Sequence, residues 1–280
     1  MAVSSGVEGL TTLATGGAER VKGNWLLKLP RRVLDGSLTV SEALAYVRWR
    51  ISQQQSLQIE GIRFEGVDPL VWGLITEIFI NREYSPKGFE IGRSDSVVDI
   101  GSHHGVFAAF AANRTSGPIV AVEPDAISYG FLARLVETNG LNNVTPVQAA
   151  VSDTSGSARL FRSSGSSRHT LVGVDQRTGE DLQDSVMVRT TSLNDLLASH
   201  PIVHLLKMDC EGAEYSIMDA ISDSLLARIE RLVMEVHGLG EEERFRSLAQ
   251  RLESSFDEVF HRRISDTMGI VYARRMPLAV

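Results

Sequence analysis

Residues 96–105 read Ser96-Val97-Val98-Asp99-Ile100-Gly101-Ser102-His103-His104-Gly105, and they decide the fold. A short apolar run that ends in glycine reads as a buried strand entering a tight turn. Residues 105–113 are rich in Ala and Phe and read as a helix. Strand, glycine turn and helix open an α/β unit. Further out, 119–122 reads as a second strand and 128–139 as a second helix, with Phe131, Leu132, Leu135 and Val136 on one face and Gly140 closing it. Residues 144–151, 203–208 and 232–236 read as a third, fourth and fifth strand. Residues 241–254 carry Phe245, Leu248 and Leu252 at helical spacing, and 256–264 and 268–274 are two last strands joined around Asp266. Alternating strands and helices imply right-handed crossovers and a mostly parallel sheet. Two consecutive strands at the end imply an antiparallel hairpin at one edge.

Upstream, Val40, Leu44, Val47 and Ile51 recur at helical spacing, and 69–80 is a second apolar helix. Residues 1–77 are thus expected to be a mostly helical accessory region, loose over the first twenty, and 78–280 the main domain. The insert 154–186 breaks the rhythm. It offers a short strand at 157–162, then a low-complexity Ser-Ser-Gly-Ser-Ser run at 163–167 and no clear period. A long loop of this kind is a flexible connection or a lid.

The chain has 280 residues, 43% apolar and 22% charged, which is ordinary for a protein with a buried core. Its formal charge of −7 argues against a nucleic-acid groove as the main surface. One cysteine, Cys210, excludes an intrachain disulfide and suits a reducing compartment. Residues 1–10 lack a basic segment followed by an apolar run, and no apolar stretch is long enough for a membrane span. The expectation is a cytoplasmic protein with no membrane partner.

The glycine turn points to a nucleoside. Gly101 and Gly105 are four apart, so the dinucleotide pattern Gly-x-Gly-x-x-Gly is missing. Eighteen residues beyond Gly105, Glu123 ends the second strand in Ala-Val-Glu-Pro-Asp, where an acid accepts hydrogen bonds from both ribose hydroxyls. Asp99, inside an apolar strand, needs a partner: the glycine-loop amides or a cationic ligand. S-adenosylmethionine, with its ribose, ammonium and sulfonium, suits this loop better than a pyrophosphate.

The segment Lys207-Met208-Asp209-Cys210-Glu211-Gly212-Ala213-Glu214 resembles the Lys-x-Asp-x-Glu-Gly-x-Glu motif of the FkbM-type S-adenosylmethionine-dependent methyltransferases. So do VVDIGSHHG at 97–105, VAVEPD at 120–125, AAVSD at 149–153, TSLNDLL at 191–197 and MEVHG at 234–238. The resemblance covers about residues 78–275. It departs at Ser102-His103-His104, where the family usually carries Ala-Asn. It implies a class I methyltransferase, Rossmann-like fold: a seven-stranded sheet in the order 3-2-1-4-5-7-6 with strand 7 antiparallel, here with an N-terminal helical segment. It also implies methyl transfer to hydroxyls of sugars or secondary metabolites. Cofactor contacts are then expected from Asp99, Gly101, Ser102, His103, Gly105, Glu123, Pro124, Ala150 and Asp209.

Side chains alternate along a strand, so Lys207 and Asp209 share a face, as do Glu235 and His237. All four sit at carboxyl ends of strands that the family order makes neighbours, where open α/β sheets bind ligands. They are the expected catalytic set, with Glu211, Glu214 and His237 toward the substrate. A histidine near its reference pKa suits the general base, with Asp209 or Glu235 as alternatives. Lys207 is expected to pair with Asp209 or Glu235 and to stabilise an alkoxide. A divalent ion on Asp209, Glu235 and His237 is a competing reading that the linear spacing does not favour. His103, His104, His169, His200 and His204 read as turn, loop or surface residues, and Cys210 among acids is a poor nucleophile. A nicotinamide oxidoreductase and a non-catalytic cofactor-binding homologue are the rivals. The acceptor is expected to be a small molecule, and a homodimer is compatible with the sequence.

Overall fold

The computed structural model describes residues 56–162, 169–173, 184–239 and 242–276. The expected helix at 34–51 and the run at 163–167 lie outside them.

Description begins with a hairpin, β1 (Ser56–Ile59) and β2 (Ile62–Glu65). Glu60 and Gly61 make its turn with φ of 48° and 84°, both in the left-handed region that a two-residue hairpin turn requires. Leu57, Ile59, Ile62 and Phe64 alternate inward and are at most 5% exposed. Burying each stabilises by roughly 1.5–3 kcal/mol. Residues 56–65 thus depart from the expected mostly helical N-terminal region: the period-2 alternation of Leu-x-Ile-x-x-Ile-x-Phe specifies strands. Helix α1 (Pro69–Ile75) follows, capped by Asp68, and runs into a π-helical turn at Thr76–Ile80.

The main sheet starts with β3 (Val97–Ile100), then α2 (Val106–Ala112), β4 (Ile119–Val122), α3 (Ala126–Thr138) and β5 (Val144–Val147). The expected third strand splits here, because 150–152 form β6 (Ala150–Ser152) in another sheet. That sheet takes β7 (Gly156–Phe161) and β8 (Ser185–Ser192), so the far end of the insert is a strand rather than a loop. Helix α4 (Leu193–Leu197) leads to β9 (Leu205–Met208), α5 (Glu214–Ala220), α6 (Asp223–Leu226), β10 (Arg231–His237), α7 (Glu242–Ser255), β11 (Glu258–Arg263) and β12 (Met268–Arg274).

The seven-stranded sheet runs β11-β12-β10-β9-β3-β4-β5. Counted along the chain within the sheet, that is 6-7-5-4-1-2-3, the reverse reading of 3-2-1-4-5-7-6. Strand β12 is antiparallel to both neighbours, while β10, β9, β3, β4 and β5 pair in parallel. Strand pleating divides the core in two. Val97, Leu205, Val233, Ile270 and Tyr272 face a layer made by the hairpin, α1, the π turn, α2 and α3. Val98, Ile100, Leu206, Met208, Leu232, Met234 and Val236 face the opposite layer of α4–α7. The period-2 rule then puts Asp99, Lys207, Asp209, Glu235 and His237 on the face of the first layer, at the carboxyl edge of three adjacent strands.

Candidate active site

Glycine at 101 is required by space. Its φ is +71°, and a Cβ there would lie 1.8 Å from the Asp209 carbonyl oxygen. The turn after β3 therefore packs directly on the end of β9. At Gly105, φ +81°, a Cβ would meet Leu132 Cδ1 at 2.6 Å. His103 is held at φ +51°. Asn and His are among the residues enriched in that region, which gives a backbone reason for His103 where the family usually carries Asn.

Glu123 is 5% exposed and ties this turn down: one oxygen accepts from His103 N at 2.8 Å and the other from Asp125 N at 2.9 Å. Burial raises its carboxyl to about 7, against the pull of those two amides. Each oxygen keeps one acceptor direction for a ligand hydroxyl. Asp125 caps α3 through Ile127 N and Ser128 N. Ser102 is buried, and its hydroxyl donates to the Asp99 carbonyl at 2.9 Å, so its side chain serves the turn rather than a ligand. Burial lowers His104 to about 3, and its ring packs edge-on against Phe131. Pro124 is half-buried beside Glu123, and Ala150 is buried at the start of β6.

Asp99 and Lys207 are register partners on β3 and β9, and their side chains pair at 3.1 Å. This answers what Asp99 faces, and it corrects the expected pairing of Lys207 with Asp209 or Glu235. The ammonium also donates to Gly101 O at 2.8 Å and Ile100 O at 3.3 Å. The Asp99 ion pair and the two backbone carbonyls hold the ammonium against the turn after β3. Burial pulls its pKa down, but Asp99 and Asp209 outweigh that and keep it raised.

His237 is 2% exposed and surrounded by carboxylates. Its Nδ1 lies 3.1 Å from Glu214 Oε1, and its Nε2 lies 3.2 Å from Glu211 Oε2 and 3.4 Å from Glu235 Oε1. Burial disfavours the charged ring, but Glu214, Glu235 and Glu211 outweigh it and hold the pKa well above 6.5. The three acids thus favour the charged ring, which speaks against the expected histidine base. Glu214 is fully enclosed and accepts from Cys210 N and Gly212 N as well as facing His237. Its carboxylate is spent inside the loop, so it is not a substrate contact. Glu211, at φ +50°, is raised to about 8, chiefly by burial. Glu235 accepts from Tyr84 OH at 2.9 Å. Burial would raise it, but its hydrogen bond and attraction to His237, with the Tyr84 bond, leave it lowered.

Asp209 differs from Glu214 and Glu235. Its Oδ1 is buried and finds no hydrogen-bond partner among the described residues. Burial and Glu235 raise its carboxyl to about 7, against Lys207 and His237. Two residues escaped the sequence reading. Tyr84 both bonds Glu235 and lies under the Lys207 ammonium, 5.4 Å from ring centre. Glu77, exposed on the π turn, feels the charges of Glu235, Glu83, Asp209 and Lys207. A π turn in an otherwise α-helical run is a recurrent mark of functional sites, but it is not legible in the sequence.

The groups nearest to a metal-binding geometry are Asp209, Glu211 and His237, with one ligand atom each and all within 4.8 Å. This differs from the expected set in having Glu211 where Glu235 was expected. To ligate an ion there, His237 would have to give up its proton against the pull of the surrounding acids. Cys210 is pushed well above its ordinary value by burial and by Glu214, as expected of an inert thiol. Among the described residues no helix is long and apolar enough to cross a membrane.

The profile of the Methyltransferase FkbM domain matches residues 99–263, more than half of the chain. The 31-O-demethyl-FK506 methyltransferase FkbM of Streptomyces tacrolimicus is 30% identical over 197 residues, 59% of this chain and 74% of that protein. Methyltransferase 1 of Beauveria bassiana is 26% identical over 179 residues, 57% of this chain and 71% of that protein. A crystal structure of methyltransferase FkbM from Methylobacillus flagellatus KT aligns with a TM-score of 0.45 at 12% identity, over 83% of this chain and 60% of that one. The profile and the 30% identical relative place the chain in the FkbM methyltransferase family, and it is a methyltransferase.

Proposed function

We propose that the chain transfers a methyl group from S-adenosylmethionine to a hydroxyl oxygen of a small molecule, of the sugar or secondary-metabolite class, with Asp209 accepting the proton. The observation that carries this reading is the partnerless buried oxygen of Asp209, on a carboxyl raised to about 7 at the carboxyl edge of the sheet. A base poised near neutral pH suits a hydroxyl that loses its proton as the new bond forms. The relative that acts on 31-O-demethyl-FK506 supports an oxygen acceptor by analogy.

The residues fit the donor. Glu123 keeps an acceptor direction on each oxygen for the ribose hydroxyls, and the backbone of 101–105 offers a close approach. When bound, S-adenosylmethionine supplies an electrophilic methyl on a cationic sulfur. Lys207 and Asp99 fix the turn that carries the donor's methionine end. His237 gathers Glu211, Glu214 and Glu235 around one positive charge, so these three acids coexist without being forced apart. Glu235, lowered and bonded to Tyr84, accepts a hydrogen bond from an acceptor hydroxyl and helps to align it.

Two measurements test this. In titration calorimetry with S-adenosylmethionine, Glu123→Ala is expected to bind at least about 10-fold more weakly than wild type, the loss of hydrogen bonds to a charged acceptor. Equal affinity overturns the cofactor assignment. Incubation with methyl-labelled S-adenosylmethionine and a panel of glycosides and polyols is expected to give base-stable methyl ethers. Label found only on nitrogen or carbon overturns the oxygen assignment.

A further inference from the structure

We propose that Thr170, from the insert and outside every motif, is a positioning residue that fixes the acidic loop after β9 and sets Glu211 beside the reacting groups. The proposal rests on the methyl-transfer reading above. Thr170 is 2% exposed. Its hydroxyl lies 2.6 Å from the Glu211 carbonyl oxygen and 3.0 Å from the Val172 amide. A carbonyl only accepts and an amide only donates, so the direction is fixed: Val172 N–H donates to the hydroxyl, and the hydroxyl donates to Glu211. The backbone of Thr170 is itself pinned, donating to Phe161 O at 3.0 Å and accepting from Phe161 N at 2.8 Å.

The peptide between Glu211 and Gly212 is consequently held at both ends. Its carbonyl accepts from Thr170, and its N–H donates to Glu214 at 3.0 Å. Glu211 is a non-glycine residue at φ +50°, a conformation that persists only where surrounding contacts determine it. Its carboxylate then reaches His237 Nε2 at 3.2 Å. Two described residues near Thr170 in the chain meet the cofactor side. Arg162 lies 3.3 Å and His169 3.9 Å from Asp125, whose amide donates to Glu123. Thr170 thus links the wall that carries Glu123 to the loop that carries Asp209 and Glu211.

The test uses the full chain with Thr170→Val, which keeps the shape and loses the hydroxyl, and Thr170→Ser, which keeps the hydroxyl. Amide hydrogen exchange is followed over residues 210–214, and kcat and KM are measured with S-adenosylmethionine and a methylated member of the glycoside panel. The valine variant is expected to exchange about 10-fold faster at Gly212, and to lose about 10-fold in kcat with KM for the donor within about 2-fold. The serine variant is expected to match wild type in both. Thr170→Ala removes the hydroxyl without setting a methyl against the Glu211 carbonyl, and gives the same reading if the valine variant misfolds. Unchanged exchange at 210–214 in the hydroxyl-free variants overturns the proposal, as do equal losses in the serine and valine variants. If wild type methylates nothing in the panel, the hydroxyl-acceptor reading fails, while the exchange measurement still decides the coupling.

Discussion

Replacing His237 by Gln separates an imidazolium that organises acids from a neutral base. The ring is 2% exposed and stands within 3.4 Å of carboxylate oxygens of Glu211, Glu214 and Glu235. Removing one partner of a buried ion pair costs about 3–5 kcal/mol, because the remaining charge is left uncompensated. Glu211, raised to about 8, already holds its proton at pH 6 and so leaves no charge uncompensated there. The expected loss is therefore near the low end, about 3 kcal/mol, or a melting point lower by roughly 6–12 °C for a chain of this size. The pH dependence carries a second signature. The folded-state pKa of His237 lies well above 6.5, so its contribution is whole below about 6.5 and fades as the pH climbs through the folded value. Urea unfolding of wild type and His237→Gln at a series of pH values reads both effects. Their difference is expected to be largest at pH 6 and to shrink at alkaline pH. A variant as stable as wild type at every pH refutes the imidazolium and returns His237 to the role of base.

Gly101→Ala sets a Cβ against the Asp209 carbonyl at a positive φ. It should destabilise by about 2–5 kcal/mol from left-handed strain and overpacking, whereas Gly130→Ala, with nothing within 4 Å in mid-helix, should stabilise by about 0.5–1 kcal/mol. Equal melting points for the two would remove the close-approach argument. Tyr84→Phe deletes the donor to Glu235, and should reduce kcat/KM about 5- to 10-fold with little change in donor affinity by calorimetry. An unchanged kcat/KM would show that Glu235 needs no such support. The kcat/KM profile should rise with pH through about 7 as Asp209 loses its proton. A flat profile between pH 6 and 8 contradicts that assignment.

Much of the sheet was legible because its signals are local. Val97-Val98-Asp99-Ile100-Gly101 announces a buried strand and turn by composition alone, and residues 268–274 were read with the bounds that the structure has. The hairpin at 56–65 is written in plain alternation, but its strands are only four residues each and precede an apolar helical run. Strand β8 was missed because its inward positions hold Thr190 and Ser192, polar residues that blur an apolar period. At the site, strand parity located Lys207, Asp209, Glu235 and His237 but not their partners. Asp99 opposite Lys207 is a matter of register between strands about a hundred residues apart. The protonation of His237 depends on three carboxylates brought from β10, α5 and the loop before it. A reference pKa carries none of that information. Thr170 was invisible for the same reason, since its role is a single contact across 41 residues.

The central claim is that Asp209 takes the proton from an acceptor hydroxyl beside bound S-adenosylmethionine. Single-turnover methyl transfer by Asp209→Asn, paired with calorimetry of donor binding, addresses it most directly. Turnover is expected to fall at least about 100-fold, the usual worth of a general base, while donor affinity stays within about 3-fold. An Asn variant that methylates at the wild-type rate contradicts it.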